Sequence, residues 1–106
     1  MPNTYDTYCI DAVDLEAARD CLERTLSIKL ILHESMFWGG GYYRAACDAF
    51  EELTVRRNYN SFTNRLNERD FPDCAMVVTI SCPVDPSALE ARLVVAGLRL
   101  LHRAVV

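Results

Sequence analysis

The chain holds little that would commit it to a familiar chemistry. It has two histidines, His33 and His102, and no close pair of metal ligands, so a metal centre has weak footing. Its one glycine cluster, Gly39-Gly40-Gly41, joins two strand-like stretches and opens no helix. It is therefore a turn and not a phosphate cradle. No nucleophile stands beside a base, and neighbouring acids such as Glu51 and Glu52 on a strand point to opposite faces. No cofactor and no enzymatic activity are expected. A membrane-spanning helix needs about 20 nearly uncharged residues. The most apolar stretch, residues 89–106, is interrupted by Glu90, Arg92, Arg99, His102 and Arg103. The first residues show neither the positive start nor the apolar run of an export signal.

Positive charge is outnumbered. Eleven Lys and Arg face 15 Asp and Glu, a net charge of −4. That balance argues against a nucleic-acid partner, which needs clustered cations, and suits a basic protein partner. The cysteines, Cys9, Cys21, Cys47, Cys74 and Cys82, are five in number, and none are spaced as Cys-x-x-Cys. With no export signal, the expectation is a cytoplasmic protein with five reduced thiols acting as small hydrophobes.

With 106 residues, 51% hydrophobic and 25% charged, the chain has the balance of one globular domain spanning residues 1–106. Residues 4–10 read as a first strand. Asp14 then caps a helix, with Glu16 in its first turn and Leu15, Ala18, Leu22 and Leu26 as its apolar stripe. Strands follow at residues 28–33, 42–47 and 52–58, the second and third separated by a weak turn at Asp48-Ala49. Residues 58–73, with four asparagines, read as a loop. Residues 75–81 are apolar on both faces, the mark of a central strand. Asp85 and Pro86 start a last helix whose stripe is Leu89, Leu93, Ala96, Leu100 and Leu101. Gly97 would lie within that helix, and Arg99, His102 and Arg103 near its negative end. The order β-α-β-β-β-β-α predicts an α+β fold, a largely antiparallel sheet of about five strands with both helices on one face.

The informative block runs from His33 to Arg44. It sets Phe37 and Trp38 on one side of the glycine turn, and Tyr42, Tyr43 and Arg44 on the other. Two readings fit: aromatic rings packed across a hairpin, or a recognition surface, since Trp, Tyr and Arg dominate interface hot spots. The run Glu34-Ser35-Met36-Phe37-Trp38-Gly39-Gly40-Gly41-Tyr42-Tyr43-Arg44, with Arg57-Asn58 and Asp70-Phe71-Pro72, resembles small bacterial immunity proteins of contact-dependent growth inhibition and related polymorphic toxin systems. The resemblance covers most of the chain. Two places depart from it: Ser27, where a glycine would end the first helix, and residues 45–49, where a glycine-rich turn would stand.

The resemblance implies a non-enzymatic cytoplasmic protein that binds and neutralises a cognate toxin's C-terminal domain. The candidate contact residues are Glu34, Ser35, Phe37, Trp38, Tyr42, Tyr43, Arg44, Glu52, Asn58 and Asp70. Phe37, Trp38 and Tyr43 would anchor, and Glu34, Glu52 and Asp70 would form an acidic rim for a basic toxin. A rival resemblance links residues 14–30 to the helix-to-strand stretch of glyoxalase-type modules, which implies a small-ligand or metal-binding module. The first strand has no histidine to serve as a metal ligand.

Overall fold

The computed structural model describes residues 3–105. The elements run β1 (Thr4–Ile10), α1 (Leu15–Leu26), β2 (Ile31–Ser35), β3 (Gly40–Cys47), β4 (Phe50–Arg57), β5 (Met76–Ser81), α2 (Pro86–Val95) and β6 (Arg99–Val105). The strands form one sheet in the order β2-β3-β4-β5-β1-β6, with every neighbouring pair antiparallel. The fold is α+β as expected, with six strands where about five were read. β5 is central, between β4 and β1, and Val77, Val78 and Ile80 on it are fully buried. Its apolar residues face both ways because both of its faces are covered.

Local chemistry explains both helix starts. The Asp14 carboxylate accepts from the Ala17 amide at 2.8 Å, and the Asp85 carboxylate from the Ala88 amide at 3.1 Å. α1 buries the predicted stripe of Leu15, Ala18, Leu22 and Leu26. It ends at Ser27 with φ 54°. A residue with a side chain adopts that left-handed conformation at a cost of about 1–2 kcal/mol. The Glu23 carboxylate then fixes the outgoing chain by accepting from the Leu30 amide at 2.8 Å.

The last helix is shorter than its stripe suggests. It stops at Val95, and Gly97 takes φ 97°. The Gly97 amide donates to the Val94 carbonyl and the Leu98 amide to the Leu93 carbonyl, both at 3.0 Å. This is the glycine-terminated Schellman arrangement, and it buries Leu98 against Leu93. Gly97 is thus the helix stop and not an interior residue. Leu100, Leu101, His102 and Arg103 belong to β6, paired with the otherwise bare edge of β1. Leu100 packs with the helix-side core, whereas Leu101 reaches the cluster on the other face.

The helix-facing side of the sheet is largely apolar, with a buried charged group at one end. Asp6, fully buried on β1, accepts two hydrogen bonds from the Arg103 guanidinium of β6, at 2.8 and 3.0 Å. Arg103 also reaches Glu90 on α2 at 3.1 Å, so one cation ties three elements together. The Tyr8 hydroxyl beside this group is buried and has no hydrogen-bond partner. Burial, with the neighbouring Asp6 carboxylate, pushes the Tyr8 phenol up to about 12.

On the opposite face Cys9, Cys74 and Val77 form a second cluster with Phe71 and Leu101. Cys9 and Cys74 are joined by a disulfide, which corrects the expectation of five reduced thiols. Cys21, Cys47 and Cys82 are free. The pairing depends on sheet order: β1 and β5 are neighbours with Cys9 opposite Val77, and Cys74 enters β5 beside them. Closing a 65-residue separation in the unfolded chain stabilises the fold by about 4 kcal/mol.

Two measurements check this description. Titration of denatured protein is expected to find three thiols without reductant and five after reduction; five in both would remove the bond. Tyr8→Phe removes an unsatisfied buried hydroxyl, so at neutral pH it should be neutral or stabilising by up to about 1 kcal/mol. The phenol's folded-state value, about 12, lies above its ordinary 10.0. Between those values the unfolded chain releases the proton first, so wild-type stability falls as pH rises through that window. Denaturant unfolding at two pH values should show a smaller fall for Tyr8→Phe.

Candidate functional site: the stitched hairpin tip

β2 and β3 form a hairpin closed by the pair Ser35 and Gly40. Its turn is set by Gly39 at φ 87° and Gly40 at φ 135°, values that side chains rarely tolerate. The Gly39 amide donates to the Met36 carbonyl at 3.3 Å, and Ser35 Oγ accepts from the Trp38 amide at 3.4 Å.

The loop between β4 and β5 folds over this turn, and its asparagines do the joining. Asn60 Nδ2 donates to the Phe37 carbonyl at 2.7 Å, and Asn67 Nδ2 to the Trp38 carbonyl at 3.2 Å. Ser61 Oγ donates to the Gly39 carbonyl at 3.0 Å. Three successive carbonyls of the turn are therefore each bonded by a loop side chain. A Cβ on Gly39 would lie 2.4 Å from Asn60 Cα, so the two segments meet backbone to backbone. At the loop's base Asn58 is buried. Its amide donates to the carbonyls of Phe71 at 3.0 Å and Cys74 at 2.9 Å, and its carbonyl accepts from the Glu68 amide at 2.6 Å.

Beneath the tip lies Arg56, whose side chain is 7% exposed. Its guanidinium donates to Thr79 Oγ1 at 2.9 Å and Thr54 Oγ1 at 3.3 Å, and pairs with Glu68 at 3.5 Å. The Trp38 ring covers it at 4.5 Å. Burial pulls the Arg56 guanidinium below the ordinary arginine range, and Glu68 opposes that pull. Tyr42 meets Trp38 edge-on at 4.8 Å and stacks on His33 at 5.6 Å.

The candidate contact residues separate accordingly. Strand alternation sends Tyr42 and Tyr43 to opposite faces. Tyr43 is buried on the helix side, where its hydroxyl accepts from Arg19 at 3.0 Å, so it is no surface anchor. Asn58 is likewise internal. Trp38 is half-buried as the lid on Arg56. Arg44 and Glu52 bind each other at 2.7 Å, which takes Glu52 out of a free acidic rim. Glu34, Phe37 and Asp70 are exposed, and Ser35 is half-buried in the turn. Arg57 at the end of β4, and Arg65 and Arg69 on the loop, are exposed as well, so the tip is of mixed charge.

The two histidines lie on β2 and β6, the two edges of the sheet, too far apart to share a metal. Among the described residues no three His, Cys, Asp or Glu side chains gather as a metal site.

Comparison with protein-family models, with curated proteins and with solved structures finds no match to this chain.

The stitching leaves four large side chains facing outward. Met36 and Phe37 on the turn are 76% and 80% exposed, and Tyr59 and Phe62 on the loop are 47% and 61% exposed. Ile31 and Leu32, at the far end of the edge strand β2, are exposed as well. Tyr59 and Phe62 had no marking in the sequence beyond their place in an asparagine-rich loop. The density of asparagine, a residue suited to side-chain-to-backbone bonds, was the available signal.

If docking of the loop on the turn organises this tip, Gly39→Ala should destabilise the protein by about 2–4 kcal/mol. Hydrogen exchange should then rise across residues 59–68. Gly40→Ala meets nothing within 4 Å and carries only the backbone cost, so its loop should stay protected.

Proposed function

We propose that this chain is an immunity protein that binds a toxin domain and covers its active site or substrate surface. The observation that carries the reading is the tip: four large exposed side chains, Met36, Phe37, Tyr59 and Phe62, held on two segments stitched by side-chain-to-backbone bonds. Ordering such groups before association spares the entropy of fixing them at the interface. The aromatic members are of the kind that anchor interfaces. The resemblance of residues 34–44 to immunity proteins points to the same role.

The anchor in this reading is Phe37, joined by Phe62, with Trp38 positioning them from below. Glu34 and Asp70 guide the approach of a basic partner. In this reading the chain acts in the cytoplasm of the producing cell.

The test is co-expression with the cognate toxin domain. The wild-type chain should protect, and Phe37→Ala should weaken binding by about 2 kcal/mol or more with an unchanged melting temperature. Trp38→Ala uncovers Arg56 and should lower stability first. Glu34→Lys should slow association and alter its salt dependence. A folded wild-type chain that neither binds nor protects rejects the reading.

A further inference from the structure

α2 is apolar over more of its circumference than its packing uses. Leu89 and Leu93 are buried, yet Val95 on the same helix is 89% exposed, Val94 51%, and Val84 just before it 69%. A surface helix ordinarily turns polar residues outward, as α1 does. Two grooves flank the outward side. One, of about 370 Å³, lies between the start of α2 and the β3–β4 turn, where Asp48 and Asp85 line it. The other, of about 480 Å³, lies between the second half of α2 and Thr25 at the end of α1. Arg92 lines both and donates to the Thr25 carbonyl at 2.7 Å.

Asp85, Ala88, Arg92 and Val95 recur at i, i+3, i+7 and i+10, so they share one side of the helix. Charge along that side is ordered. Asp85 and Asp48 sit at one end, and Arg92 lies about 10 Å further along the axis. Neither Asp48 nor Arg92 has an ion-pair partner among the described residues. A uniformly basic partner would meet Arg92 with like charge, and an acidic one would meet the two aspartates. The face fits a surface that carries both signs in reverse order around an apolar centre.

We propose that this surface is a second copy of the chain, docked α2 against α2 in antiparallel fashion about a two-fold axis near Ala88. Reversal about that point brings the aspartate end of each copy beside Arg92 of the other, twice over, and Val84 near Val95. The exposed Ala88 and Ala91 let the helices approach closely. A parallel pairing would set like charges together. The interface is isologous and closes on itself. It shares no residue with the hairpin tip and so leaves each copy's tip free.

A pair of ten-residue helices with their flanking turns falls below the area of a standard tight interface, so the dimer is expected at about 100 µM protein and not at nanomolar concentrations. Sedimentation equilibrium at that concentration should give twice the 12.0 kDa chain mass. Arg92→Glu and Asp48→Lys should each weaken self-association at least tenfold. Mixed together, the two variants should form a one-to-one heterodimer, because the changed positions face each other with signs exchanged and the unchanged pair is retained. Val95→Glu, at an exposed position, should abolish self-association independently, and circular dichroism confirms that each variant is folded. A monomeric wild type, variants that keep the wild-type mass, or a mixture that stays monomeric overturns the proposal.

Discussion

The arrangement of the hairpin tip and its loop rests on one buried cation. Arg56 stands in mid-sheet on β4, and its charge must be met by neighbours or it would not remain there. Thr54 comes from its own strand, Thr79 from β5, Glu68 from the loop and the Trp38 ring from the hairpin turn. Each belongs to a different part of the chain, so satisfying Arg56 fixes the hairpin and the loop relative to the sheet. Removing one partner of a buried charge typically costs about 3–5 kcal/mol, because the remaining charge is left uncompensated. That penalty is what couples distant segments into one rigid tip.

The two faces of the sheet solve burial differently. Toward the helices the solution is apolar packing, interrupted by the Asp6–Arg103–Glu90 group that binds β6 to β1 and α2 and by the Arg19–Tyr43 hydroxyl bond. Away from the helices no second layer of secondary structure stands among the described residues. Cover comes instead from Trp38, Phe71 and the asparagine-bonded loop. A loop can serve as a layer only if its own backbone groups are satisfied; Asn58 and Asn60 supply such bonds, and Asn67 ties the loop to the turn and β4. The outward residues of the loop are thereby relieved of packing duty. For this reason Phe37 and Phe62 stand in solvent on a segment that is otherwise well tied, a combination suited to binding and wasteful for a structure alone.

The sequence by itself determined the periodic features. The α1 stripe, both aspartate caps, the glycine turn, the central strand and the α+β class follow from side-chain spacing and local backbone chemistry, which act over a few residues. It misjudged the segment after Gly97, where leucines at 100 and 101 fit a helix stripe as well as a strand. The bare edge of β1, 90 residues away in sequence, decided for the strand. The hairpin was legible as a candidate site, but its division into lid, core and surface was not. Strand register buried Tyr43 and the loop's path buried Asn58. The Cys9–Cys74 bond and the ring over Arg56 arose in the same way, from β1 meeting β5 and the loop crossing the turn. Local physics fixes what a segment prefers to be. Which face of it meets another segment depends on pairings across tens of residues, and only the closed sheet supplies those.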